Sequence, residues 1–180
     1  MKKLLLLLCF ILLFATVACA NEPKVFSFRG VEFGMSRDAV KAVETAKFEE
    51  ENQFGSFRYN VQEGTYGLQT VIWYSFGDIY NDYNSLRVIS LYLLVPPGMD
   101  AEAKYAEIKA NLWAKYNGDA KGEPLEDLDA WWFKTSESQI YTSIHLYDDV
   151  DNAYDAFGIT TPLDNVEDYH MIAILFEIRL

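Results

Sequence analysis

Few side chains in this chain have types and spacings that could do chemistry. The two histidines, His145 and His170, sit in separate apolar runs with no cysteine nearby and no His-x-x-x-His spacing, so they do not spell a zinc site. The densest group of hard oxygens is "YDDVDNAYDAFG", residues 147–158, where Asp148, Asp149, Asp151, Asn152 and Asp155 lie close together. Calcium favours such oxygens, but the order is not that of an EF-hand loop and Gly158 comes late. A solvated acidic loop is the plain alternative. Asp78, Asn81, Asp82 and Asn84 form a second, weaker cluster. There is no Gly-x-Ser-x-Gly elbow, no phosphate loop and no dinucleotide fingerprint. A hydrolase built on paired carboxylates remains open, because in so acidic a chain such pairs carry no motif. The expectation is a non-catalytic protein, with a calcium- or small-ligand-binding domain using residues 148–155 as the alternative, and no cofactor other than calcium.

The aromatics offer a different kind of site. Trp131 and Trp132 are adjacent in a strand-like run, so their side chains point to opposite faces. Tyr141, His145 and Tyr147 share one face of the next run, and Ile140, Ile144 and Leu146 the other. Trp131, Trp132, Tyr141 and Tyr147 are therefore candidates for a protein-docking surface, since Trp and Tyr dominate binding hot spots. The same residues could instead fill a second buried face.

Elements to hold these residues follow from periodicity. Residues 24–33 read as a first strand or extended arm. Ser36 is a good helix cap, with Asp38 in the first turn and Ala39, Val40, Val43 and Ala46 as a thin apolar face. "FEEENQFGS" is taken to end that helix. Strands are expected at 57–62, 68–76 and 86–95 from alternation and β-branched content. Pro96-Pro97-Gly98 stops the first half. Asp100 then caps a helix over 100–116, with Tyr105, Ile108, Leu112 and Tyr116 on one face and Trp113 at its margin. Asn117-Gly118 supplies its stop. Strands resume at 130–136, 140–147 and 170–178.

Two segments begin alike: "GMSRDAV" at Gly34 and "GMDAEAK" at Gly98. Each Gly-Met leads to a capping residue and a helix, and each helix is followed by strands. The expected class is α+β, an antiparallel sheet or sheets with helices packed on one face, in two tandem α-β-β-β units at 21–97 and 98–180. These units could also form one continuous domain. Gly34, Met35, Ser36 and Val40 resemble the helix start of small α/β modules in bacterial envelope proteins, of the BamE-like and β-lactamase-inhibitor-protein-like kind. That resemblance implies non-enzymatic protein binding or scaffolding in the envelope.

Residues 1–20 have two lysines, an apolar run and a small-residue end, the layout of a secretory signal. Ala18-Cys19-Ala20 fits a cleavage site ahead of Asn21. "TVAC" also resembles the lipobox of bacterial lipoproteins, in which Cys19 would be lipidated and anchor the chain. The expected location is the periplasm or cell envelope. Cys9 and Cys19 are the only cysteines, so the rest of the chain must fold on its core alone, helped by an aromatic content of 16%. The net charge of −12 argues against nucleic acid and anionic membrane surfaces, and suits a cationic partner, bound divalent metal or plain solubility. Export predicts a native protein that begins at Cys19 or Asn21. Mass spectrometry of its N-terminus decides between them, and an intact Met1 would remove the export reading.

Overall fold

The structure, a computed structural model, describes residues 26–77, 84–116, 129–134, 139–148, 150 and 169–179. The chain starts with a small hairpin, β1 (Ser27–Phe28) and β2 (Val31–Glu32). Where a single strand or extended arm was expected, Arg29 and Gly30 turn the chain back. Both have positive φ, 54° and 83°, as a two-residue hairpin turn requires. Helix α1 (Arg37–Val43) and strands β3 (Lys47–Glu51), β4 (Phe57–Val61), β5 (Gln69–Phe76) and β6 (Leu86–Val95) follow. Helix α2 (Ala101–Tyr116) and strands β7 (Ala130–Lys134), β8 (Gln139–Tyr147) and β9 (His170–Arg179) come next, and a short 3-10 turn, Thr65–Gly67, links β4 to β5.

The protein is α+β; the described residues hold two α-helices and two antiparallel sheets, the β1–β2 hairpin and a seven-stranded sheet in the order β3-β4-β5-β6-β9-β8-β7. Every pairing is antiparallel. The Pro-Pro segment therefore does not separate two sheets, because β6 and β9 pair directly. One expectation is corrected. Residues 47–51 form a strand and not the tail of the first helix, so four strands follow α1 where three were expected. Ala46 likewise lies outside the helix.

The reason lies at Glu44. It leaves the helical conformation at φ −71°, ψ 123°, and turns its carboxylate inward. There it accepts from the Ala46 N–H at 2.7 Å, from Arg29 Nε at 2.9 Å and from the Tyr74 hydroxyl at 2.5 Å. The side chain is wholly buried. A buried carboxylate is tolerated only when paired and hydrogen-bonded, and these three donors come from the chain after α1, the first hairpin and β5. One carboxylate therefore ends the helix and ties three elements together.

Both helices pack on the same face. Val40 of α1 and Ala101, Ile108 and Leu112 of α2 join one core with Ile72, Tyr74, Ile89, Leu91, Ile172, Ile174 and Phe176 of the sheet. Phe26 sits between the halves, its ring centroid 5.4 Å from that of Tyr116 and 4.9 Å from that of Phe176. On α2, Tyr105 and Tyr116 are half-buried and Trp113 is exposed, as the spacing predicts. The Tyr105 hydroxyl and the Lys109 ammonium both donate to Asp129, just before β7. The helix stop at Asn117-Gly118 lies outside the described residues.

The clasp at Glu44 yields a prediction. Tyr74→Phe removes one donor from a buried carboxylate and should lower stability by about 1–3 kcal/mol, read as a lower urea midpoint with unchanged m-value. An unaltered midpoint would show that Glu44 does not depend on this bond.

Candidate functional site

The sheet has a second face, turned away from the helices. Cross-strand register defines its rows. Nearest the start of β9, Leu94 pairs with Met171, and Met171 with Tyr147. Next, Val71 pairs with Tyr92, Tyr92 with Ala173, and Ala173 with His145. These residues form a second packed cluster: Val71, Trp73, Tyr92, Leu94, Val150, Met171 and Ala173 are buried, with Tyr147 and Tyr169 packed against them. Tyr147 thus belongs to this cluster. Its neighbour on the same face, His145, is exposed, with ring centroids 6.4 Å apart.

The next row carries charge. Arg58 on β4 pairs in register with Trp73 and with Glu50. Its guanidinium lies 5.7 Å from the Trp73 ring, 3.2 Å from Glu50 and 3.1 Å from Glu49. The Glu49 contact is an ion pair whose Nε is not aligned as a hydrogen bond. Arg58 is buried, so its charge is compensated where water cannot do it.

The last row is different. Ser75 pairs with Val88, Val88 with Glu177, Glu177 with Tyr141, and Tyr141 with Trp132. All five are half-buried. The Trp132 and Tyr141 rings are tilted at 57° with centroids 5.1 Å apart. This row crosses five strands, from β5 to β7, and combines two large rings with one carboxylate.

The structure therefore divides the residues singled out from sequence. Trp132 and Tyr141 come together. Tyr147 is six residues from Tyr141, roughly 20 Å along the strand, and packs elsewhere. Trp131 pairs with Thr142, whose neighbours Ile140 and Ile144 face the helices; its own side chain is outside what is described. Asp148 is exposed, and its carboxylate lies 3.5 Å from His170 Nδ1. Asp149, Asp151 and Asp155, with Asn152, lie outside the described residues, as do Cys19 and residues 78–83. Asn84, of the second cluster, accepts from the Arg37 N–H at 3.3 Å. His145 and His170 do not converge: register places them on opposite faces of the sheet. Among the described residues no three His, Cys, Asp or Glu are grouped to hold a metal, and no helix is long and apolar enough to cross a membrane.

Sequence reasoning passed over Glu177. The signal was present: it is the one acid in the run "HMIAILFEI". Alternation along β9 puts it on the face of Ala173, away from Ile174 and Phe176. Arg58 and Glu44 were also unremarked, because their roles depend on partners distant in sequence.

The chain matches no family model, and no curated protein or solved structure matches it significantly.

Burial shifts the tyrosines on both faces. Tyr92 is pushed up to about 12, by burial first and by Tyr147 in addition, against a lowering hydrogen bond with Ser90. Tyr74 is raised further, by burial, by its hydrogen bond to Glu44 and by that carboxylate's charge. Tyr59 and Tyr66 are raised too, chiefly by burial. A raised tyrosine favours the folded state below about pH 10, where folded and unfolded chains both keep the proton. That advantage is lost as pH rises, because the unfolded chain ionises first. Stability should therefore fall steadily above about pH 10. In an absorbance titration at 295 nm, these four tyrosines should ionise well above pH 10 or only on unfolding. Uniform ionisation near pH 10 with the fold intact would contradict this packing.

Proposed function

We propose that this protein is an exported bacterial, non-catalytic binding module that docks a protein partner through the half-open row Trp132, Tyr141, Glu177 and Val88. The observation that carries the reading is a contrast across one face. The rows through Tyr92 and Met171 are buried at their centres and open only at the half-buried Tyr147 and exposed His145, whereas every residue of the row through Tyr141, including two large rings and a carboxylate, is within reach of solvent. Rings flanked by charge are typical of binding hot spots. The leader-like N-terminus supports a place in the cell envelope, and the resemblance of Gly34-Met35-Ser36 to envelope modules supports scaffolding or assembly there.

The framework itself is a tandem repeat in this reading. Gly34 and Gly98 have φ of 82° and 85°, and each precedes a capped helix. Ser36 Oγ accepts from the Ala39 N–H at 3.2 Å, and Asp100 Oδ1 from the Ala103 N–H at 2.9 Å. β4, β5 and β6 have 5, 8 and 10 residues, and β7, β8 and β9 have 5, 9 and 10. The sheet order places these two sets as mirror sequences about the β6–β9 pair, with β3 as an added edge. Duplication of a helix-plus-three-strand unit accounts for all of this.

The test is affinity capture from an envelope extract with the wild type and with Trp132→Ala and Tyr141→Ala. The expected outcome is one partner retained by the wild type and lost at least tenfold by each variant, with melting temperatures near wild type. A loss of folding would make these residues core, and undiminished capture would end the docking proposal.

A further inference from the structure

Glu177 stands out once the charges are matched. The other described carboxylates on the strands of the seven-stranded sheet have cations: Glu49 and Glu50 have Arg58, and Glu51 has Arg37 and Lys41; just outside the strands, Glu44 has Arg29 and Asp129 has Lys109. Glu177 has none among the described residues. It is not on a loop or a sheet edge, where water would solvate it freely. It sits on an inner strand, half-buried, opposite Val88 on one side and Tyr141 on the other. A half-buried charge without a partner costs stability, and such costs are commonly kept where binding needs them.

We propose that Glu177, with the rings of Tyr141 and Trp132, receives a cationic side chain, arginine above all, from a partner protein. The inference rests on the docking reading and names what the docked surface must supply. Directly opposed cross-strand residues have Cβ atoms about 4.5–5.5 Å apart, so a guanidinium lying on the Tyr141 ring comes within reach of the Glu177 carboxylate. Arginine suits the place better than lysine. Its planar group stacks on aromatic faces and offers a fork of donors to a carboxylate. A metal ion suits it less, since one carboxylate supplies two oxygens where calcium takes about 6–8. Charge favours the encounter, because the chain as a whole carries −12.

The probe is N-acetyl-arginine amide, titrated into the isotope-labelled protein alongside N-acetyl-citrulline amide, its uncharged near-isostere. Saturable shifts are expected at the Trp132 indole, Tyr141 and Glu177 with the arginine compound and not with citrulline. Glu177→Gln should weaken arginine binding by at least about threefold, the size of a partly exposed ion pair, while its melting temperature holds or rises. The proposal is overturned if both compounds shift the same signals, if Glu177→Gln binds arginine as well as wild type, or if that variant loses stability. The two readings fail separately. Capture lost in Trp132→Ala but intact in Glu177→Gln keeps the docking surface and removes the cation site. Arginine binding that depends on Glu177, with no envelope partner captured, keeps the cation site and removes the docking role.

Discussion

The ladder between β6 and β9 is the constraint on which everything else rests. It joins strands separated, among the described residues, by a helix and two other strands, through eight residue pairs from Val88–Glu177 to Val95–His170. Such a pairing closes a long loop of chain, so it must be repaid by many contacts at once. Both strands are built to do so. On the helix side they bring Ile89, Leu91, Leu93 and Val95 against Ile172, Ile174 and Phe176. On the other side they bring Tyr92 and Leu94 against Ala173 and Met171. With both faces buried, this central pair can be almost wholly apolar, and the single carboxylate at Glu177 becomes the conspicuous exception.

Polar side chains then fasten the outer parts to this centre. Glu44 is the clearest case: its carboxylate gathers donors from Arg29, Ala46 and Tyr74, and so holds the first hairpin and the end of α1 against β5. At the other end of the chain, Asp129 takes both Tyr105 and Lys109 while its carbonyl accepts from the Ile144 N–H at 2.8 Å. Each half of the sheet is thus pinned to its own helix by one acid. Close to α1, Arg37 and Lys41 extend over Phe57, Phe76 and Phe48 while pairing with Glu51. Their cations cover apolar rings that would otherwise face water.

Local pattern foretold the elements best where spacing, capping or composition within one segment decides. The helix over Ala101–Tyr116 and the strand Leu86–Val95 follow directly from spacing, from Asp100 as cap and from β-branched content. It failed at Lys47–Glu51. Four charged residues in five read as the end of a helix, yet an edge strand is where charge belongs, because charged edges discourage pairing with other chains. The candidate site was half legible. Trp132 and Tyr141 were visible as aromatics on alternating strands, but their meeting depended on the β7–β8 register, and so did the separation of Tyr147.

By itself, then, the sequence determined what depends on neighbours a few residues apart: the helix caps at Ser36 and Asp100, the faces of each strand, the acidic balance, and a body that folds without disulfides. Only the tertiary structure decided which strand lies beside which. That choice put Glu177 next to Tyr141, Arg58 over Trp73 and Arg29 on Glu44. The physical reason is that periodicity records which way a side chain points, whereas pairing between distant strands depends on burying both faces of one sheet together, a property that no single stretch of residues contains.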